Sequence, residues 1–542
     1  MASKTHVKLS GSKRGRDPTA FRVGDINPKD KVKVTIVLRG RRKLPGPHEV
    51  VDQAMTPEEL AEEFGAKKED AKHVKEYLLK HKLNVKEVSR ITRSMCVSGT
   101  AKAMEKVFKV DNWAIYHSPT QAAHRSRHGA IHIPAELKGL VTGVFGLDQR
   151  RVAHPRSGAP VPAGPKTALL PLTPKKIEKL YNFPIGDGRG QSVAIAQFGG
   201  CYWENDVTAY CNNLGLHPPD VHVIQVDDAP YTLRDILAIP DPTPRQDALE
   251  ESCEVTMDVE IIAGLCPNAS ISIYFSTFDE RGWVDLLGKV ITADPTPVAL
   301  SISWGDPEDG KQWSKSAIRA INDRLNLARL LGITTCVSSG DDGCRGDVND
   351  GQAHVSFPSS SPYVLAVGGT MLEQSGEEVA WWDNPGYGEG ATGGGVSTVN
   401  PRPAWQNVHV ASINHTMFDG RVVPDVSALA GRPYYDLWIL NLPWPGARTS
   451  ASAPVWAALI ARINAKLPWE KKQRFLTPLL YKKLAKGMTV GEACCRDIKK
   501  GHNSCYLSGA GYEGYEAGPG FDAVTGWGVP DGMKLLNCLK VI

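Results

Sequence analysis

Between residues 192 and 338 the chain alternates short apolar runs with helix-length segments. The apolar runs cover 192–198, 221–226, 271–275, 298–303 and 334–338, and the helical periodicities cover 204–214, 249–263, 283–292 and 314–331. A strand that is apolar on successive residues, rather than on every second one, must be buried on both faces. Alternating strands and helices supply that burial as a parallel sheet with helices on both sides. An α/β fold of this kind places its functional site at the carboxyl ends of the strands. Ser303-Trp304-Gly305 and Ser339-Gly340-Asp341 both fall at such ends. No internal repeat is present.

At 542 residues the chain exceeds what one core usually serves, so two domains are expected. Residues 1–30 are polar and rich in Gly and Lys, and read as a disordered basic tail. A strand at 31–39, one helix over 56–81 opened by Thr56-Pro57-Glu58-Glu59, a short strand at 95–98, a helix at 101–108 and a strand at 113–117 make a small α/β domain over 31–152. Residues 153–171 carry many prolines among small residues, and read as an exposed, extended, cleavable linker. The second domain occupies 172–542.

Charge is unevenly shared. Residues 1–166 hold 32 Lys and Arg against 17 Asp and Glu, and the remainder holds 31 against 42. A basic front can bind nucleic acid, but no aromatic-rich RNA motif or zinc-finger spacing accompanies it. The expectation is that the basic segment rests on the acidic one, and that acid weakens this long-range attraction. No apolar run is long enough to span a bilayer, and the first 16 residues lack the apolar centre of a secretory signal. The 11 cysteines are scattered apart from Cys494, Cys495 and Cys505, with no metal-binding spacing.

Four segments carry chemistry. Thr449-Ser450-Ala451, with Pro454 close behind, opens a small-residue helix, so Ser450 reads either as a nucleophile at a helix N-terminus or as a capping serine. Glu254 and Asp258 are four apart on one helix face that Ile261, Ile262 and Leu265 continue. On an apolar stripe such a pair should hold a shared proton in mild acid; on a solvated acidic helix it would do nothing of the kind. Asp341, between glycines after an apolar strand, suits either an oxyanion donor or a turn. Asp497-Ile498, Gly518-Pro519-Gly520 and Asp522 offer hard oxygen ligands in tight turns, suited to calcium or to a plain loop. No histidine sits in a setting that would activate Ser450.

Together these segments resemble the sedolisin family of serine-carboxyl peptidases, most closely its kumamolisin-like members. Val97-Ser-Gly-Thr100, Val144-Phe-Gly-Leu-Asp148, Tyr181-Asn-Phe-Pro184, Ser301-Ile-Ser-Trp-Gly-Asp-Pro-Glu-Asp309, Gly368-Gly-Thr370 and Gly393-Gly-Gly-Val-Ser397 carry the likeness, in order, from about residue 31 to the C-terminus. The resemblance implies a subtilisin-like fold, an inhibitory propeptide removed by self-cleavage, and a secreted, monomeric, acid-active endopeptidase acting on polypeptides. It assigns Ser450 as nucleophile, Glu254 as general base, Asp258 as its orienting acid and Asp341 as the oxyanion residue, with Trp304 beside them. It also implies one structural calcium held by Asp497, Ile498, Gly518, Gly520 and Asp522. Two residues depart from the family pattern. Arg448 stands where Gly usually precedes Thr-Ser, and Gln197 stands where some relatives place a glutamate against the catalytic one. Arg448 leaves open an alternative, a catalytically impaired relative that binds peptides, and Gln197 predicts an altered pH optimum.

Overall fold

A computed structural model describes residues 5–49, 53–119, 121–152, 154–155, 170–227, 232–240, 242–310, 312–383, 390–485, 487–507 and 510–542. The larger domain is built on an eight-stranded sheet. Its order is Asp220–Gln225, Ser270–Ser276, Ser192–Phe198, Ala299–Ile302, Thr334–Ser338 and Leu365–Leu372, and the last of these pairs with both Glu378–Ala380 and Val426–Leu429. All pairings are parallel except that with Glu378–Ala380.

The period-2 geometry of a strand explains how one sequence serves two cores. Val193 and Ile195 point to a face covered by the helices Pro242–Leu265 and Arg448–Lys466, with Val255, Val259, Val455 and Trp456 packed there. Ala194, Ala196 and Phe198 point to the other face, where Trp283, Leu287, Ile321 and Leu325 of the helices Glu280–Ile291 and Lys315–Leu330 meet them. The architecture is thus the subtilisin-like sheet with helices on both faces that the alternation predicts.

The front domain is a four-stranded antiparallel sheet in the order Val141–Phe145, Lys31–Leu38, Ser94–Thr100, Asn84–Ser89, with Val34, Ile36, Val74, Leu78, Met95 and Met104 in its own core. Its opposite face, through Val37 and Phe145, joins the core formed by Trp283 and Ile321, so the front domain lies directly on those two helices. The single helix expected over 56–81 is two, Pro57–Glu63 and Lys68–Lys80. Thr56 and Glu59 form the capping box that the sequence announces. The break falls at Gly65, where a Cβ would lie 2.2 Å from the Ala61 carbonyl oxygen and 2.9 Å from that of Arg90.

The disordered tail expected over 1–30 is corrected: residues 5–30 are ordered. His6–Lys8 pairs with Ile131–Pro134, and Phe21–Gly24 pairs with Ala114–Ser118. Composition misled because the basic side chains here are partnered. Arg14 is buried, donates to the Gln312 carbonyl at 2.5 Å and lies 3.3 Å from Asp148. Arg150 grips the same carboxylate at 2.7 Å and 3.0 Å. Burial pushes the Asp148 carboxyl up, but the Arg14 and Arg150 guanidinium groups outweigh it and hold it below the usual carboxylate range. From the larger domain, Glu280 reaches to 3.9 Å of Arg14. The cluster therefore joins tail, front domain and large domain. The linker also differs from expectation at its start: His154–Pro155 forms a strand against Trp304–Pro307, while residues 153 and 156–169 lie outside the described residues.

Replacing Asp148 by Ala would leave two buried guanidinium groups facing each other, at a cost of about 3–5 kcal/mol. Chemical denaturation of the full chain in an Ser450→Ala background, where self-cleavage cannot intervene, is expected to show that loss; a change within ~0.5 kcal/mol would mean that the cluster does not hold the domains together.

Candidate active site

The helix Arg448–Lys466 carries Ser450 in its first turn, fully buried, with no hydrogen-bond partner for its Oγ among the described residues. Pro454 lies inside this helix and has no N–H to give to the carbonyl four residues earlier. That carbonyl belongs to Ser450, and the Ser303 hydroxyl takes up the vacancy, donating to it at 3.3 Å. The same Ser303 Oγ lies 3.0 Å and 3.1 Å from the two carboxylate oxygens of Asp258. One hydroxyl at the end of the strand Ala299–Ile302 thus ties the backbone of the nucleophile helix to the carboxylate helix Pro242–Leu265.

Glu254 and Asp258 lie one turn apart on that second helix, and both are fully buried. Burial raises the Asp258 pKa well above its ordinary value, the nearby Glu254 charge raises it further, and the Ser303 hydrogen bond only partly opposes them. The reading of these residues as an ordinary solvated acidic helix therefore does not hold. Gln197, in the central strand Ser192–Phe198, closes the far side. Trp304 Nε1 donates to Gln197 Oε1 at 2.9 Å, which turns the amide so that Nε2 donates to Asp258 at 3.2 Å. An indole nitrogen can only donate, so Trp304 fixes which end of the amide faces the carboxyl pair. The Trp304 ring is wedged edge-on against Phe198 and Phe278, and water is kept out.

Asp341 sits at the head of the nucleophile helix. Its Oδ1 accepts from the Thr449 N–H at 3.0 Å and from Thr449 Oγ1 at 2.6 Å, so a carboxyl from another segment caps this helix. Gly340, at φ +120°, exchanges hydrogen bonds with the same threonine. Arg448 is next to it, at φ +77°, the left-handed region that favours glycine, and its Nη1 lies 4.0 Å from Asp341 Oδ2. The structure thus gathers Ser450, Glu254, Asp258, Asp341, Trp304, Arg448 and Gln197 around one place at the carboxyl ends of the strands. Sequence reasoning missed Ser303 and Thr449. The only signal for either was adjacency, Ser303 to Trp304 and Thr449 to Ser450.

The C-terminal loop brings the remaining predicted residues together at a separate site. Gly520 N–H donates to Asp497 at 2.9 Å and Gly518 N–H to Asp522 at 3.0 Å, while Asp522 also accepts from the Val524 and Thr525 N–H groups. Ile498 buries its side chain in the main core and leaves only its backbone to this loop. Asp497 Oδ1 is buried without a hydrogen-bond partner among the described residues. Burial raises the Asp522 carboxyl to about 6. An orphaned carboxylate oxygen beside a second carboxylate is what a hard cation such as calcium would satisfy.

Fold and site define a protease domain of the subtilisin type with an activation domain packed on it. Residues 18–150 match the pro-kumamolisin activation domain and residues 250–528 the subtilase family. The chain is 34% identical to kumamolisin of Bacillus sp. (strain MN-32), over 98% of this chain and 96% of the relative, and 30% identical to tripeptidyl-peptidase 1 of Bos taurus, over 77% and 73%. Among solved structures it resembles Pseudomonas sedolisin, a serine-carboxyl proteinase, with a TM-score of 0.56 at 24% identity, covering 69% of this chain and 98% of the other. The chain belongs to the sedolisin family of serine-carboxyl peptidases, in its kumamolisin-like branch, and carries the activation propeptide of that branch.

Gln197→Glu would exchange a neutral donor for a third carboxyl against Asp258. A further negative charge raises neighbouring carboxyl pKa values, so the acid limb of the pH–rate profile is expected to move up by about one unit. A limb that stays in place would show that the amide does not tune the pair.

Proposed function

We propose that this peptidase is acid-active, that it releases itself from its propeptide, and that it cleaves polypeptides through an acyl-enzyme on Ser450. The observation that carries the reading is the buried carboxyl pair joined through Ser303 to the nucleophile's own helix. In this reading Glu254 takes the Ser450 proton as Oγ attacks the substrate carbonyl, and the carbonyl electron pair moves onto its oxygen. Asp258, whose pKa is raised by burial and by Glu254, keeps a proton in mild acid and orients its partner. The oxyanion forms beside Asp341 at the positive end of the helix Arg448–Lys466. An imidazole would be protonated and useless as a base in acid, whereas a buried carboxylate pair is not.

The propeptide inhibits by position. The strand His154–Pro155 runs antiparallel to Trp304–Pro307, directly after Ser303, and covers the edge on which an extended polypeptide substrate would pair. The charge asymmetry favours this docking at neutral pH, and salt should weaken it. Three buried carboxyls near the front domain titrate above the ordinary carboxylate range. Glu251, 3.1 Å from Arg151, is raised to about 7 by burial against the opposing Arg151. Asp285, which accepts from Thr35 Oγ1 at 2.8 Å, is raised to about 7 by burial and Asp227, and Asp279 to about 6 by burial. Arg151 favours the charged form of Glu251, so protonation of Glu251 as pH falls through about 7 removes that ion pair and weakens docking at this contact. Acid therefore both loosens this contact and sets the catalytic protonation state.

Incubated near pH 4, the full chain is expected to lose its front domain, with a new N-terminus beyond residue 155, while Ser450→Ala stays intact. Persistence of the wild type as one chain under these conditions would favour the impaired, peptide-binding alternative.

Calcium is proposed at the C-terminal loop, where the residues present suit it: Asp497 and Asp522 as charged ligands, with the carbonyls of Ile498, Gly518 and Gly520 completing the set. Bound there, it would supply structural charge neutralisation and no chemistry at Ser450. Adding a calcium chelator to the purified chain should lower Tm by about 2–4 °C per kcal/mol of lost binding energy, and Asp497→Asn should remove that sensitivity; a chelator-insensitive Tm would argue for a plain loop.

A further inference from the structure

Arg448 occupies a position that a side chain other than glycine adopts at a cost. Its φ of +77° lies in the left-handed region, which disfavours any residue with a Cβ. The backbone is pinned there: Arg448 N–H donates to the Ala430 carbonyl at 2.5 Å, just after the strand Val426–Leu429, and Thr449 N–H is held by Asp341. Nothing in the backbone geometry calls for arginine. The side chain, though, is aimed with purpose. It is 26% exposed, and its Nη1 lies 4.0 Å from Asp341 Oδ2. Asp341 Oδ1 accepts from Thr449, and the guanidinium lies on the Oδ2 side of the carboxyl.

Among the described residues, Asp383 and Arg432 also bring charge to this point. Asp383 is pushed up by burial, with Trp381, Arg432 and Arg448 opposing; it accepts from Trp381 Nε1 at 3.0 Å and lies 3.9 Å from Arg432. Arg448 and Arg432 thus face Asp341 and Asp383 at the head of the nucleophile helix.

A carboxyl group stabilises an oxyanion only while it carries a proton to donate, and as a carboxylate it repels it. A guanidinium carries donors and a positive charge at every working pH. We propose that Arg448 is a further catalytic residue, whose guanidinium shares the charge-stabilising pocket with Asp341 and supports the tetrahedral oxyanion when Asp341 has no proton to give. The inference rests on the peptidase reading above and deepens it: the bulk beside the nucleophile extends the reaction toward neutral pH instead of disabling it.

The test follows self-processing of the full chain from pH 3 to pH 8, an intramolecular rate that needs no chosen substrate. Arg448→Gly suits the positive φ and should fold at least as well as the parent. The ratio of its rate near pH 7 to its rate near pH 4 is expected to fall about 10²-fold below the parent's ratio, the loss typical of one missing oxyanion donor. Arg448→Lys should keep most of the neutral-pH rate, and guanidinium chloride, but not the same concentration of potassium chloride, should restore Arg448→Gly at pH 7. A structural role for Arg448 would change all pH values alike and would not respond to guanidinium. Equal pH profiles for Arg448→Gly and the parent would overturn the proposal while leaving the peptidase reading intact. A parent that never processes, behaving as Ser450→Ala does, would remove the peptidase reading and this inference with it.

Discussion

The hydroxyl of Ser303 is the joint on which the site depends. A proline inside a helix leaves one carbonyl without its partner, and here the orphan is the carbonyl of the nucleophile itself. Ser303 Oγ lies within hydrogen-bond reach of that carbonyl and of the Asp258 carboxyl; its one proton can go to the carbonyl while the oxygen accepts from a protonated Asp258, so the Ser450 helix and the carboxylate helix are registered to each other through the strand between them. Without that joint the two helices would still pack through Val255, Val259 and Val455. Apolar packing is non-directional, however, and does not fix a hydroxyl against a carboxyl to within a fraction of an ångström.

Around the joint, burial does the electrochemical part. Two carboxyls in a dry core cannot both ionise cheaply, and Gln197 and Trp304 ensure that the group facing Asp258 is a donor. At the opposite side Thr449 holds Asp341 at the end of the helix where partial positive charge accumulates. The same molecule uses paired charges differently at the domain interface. There Arg14, Asp148 and Arg150 form a buried cluster whose members satisfy one another and fasten the propeptide down.

Much of this was legible in the sequence, for physical reasons. The two-faced apolar strands could serve only a covered parallel sheet, and the apolar stripe continuing from Glu254 and Asp258 offered a buried pair as one of two readings. The strand Ser192–Phe198 and the strand Thr334–Ser338 fall where periodicity puts them. What stayed hidden was whatever depends on a partner far away in the chain. The tail at 5–30 looked disordered because its order comes from pairing with strands more than 90 residues later and from carboxylates such as Asp148. The helix at 56–81 splits because Gly65 packs against the Arg90 carbonyl. Ser303 and Thr449 have no local pattern that separates them from any other hydroxyl. Gln197 and Arg448 stood out only as departures, and their contacts came from the fold.

The central claim is that a carboxyl pair, not an imidazole, activates Ser450. The most direct measurement is kcat/KM of the self-processed enzyme on an internally quenched peptide as pH falls from 7 to 4. A rate that holds or rises across that interval is predicted, because the base is a carboxylate that stays competent below the imidazole range. A rate that drops about tenfold per pH unit below pH 6 would show that histidine is the base and would contradict the account.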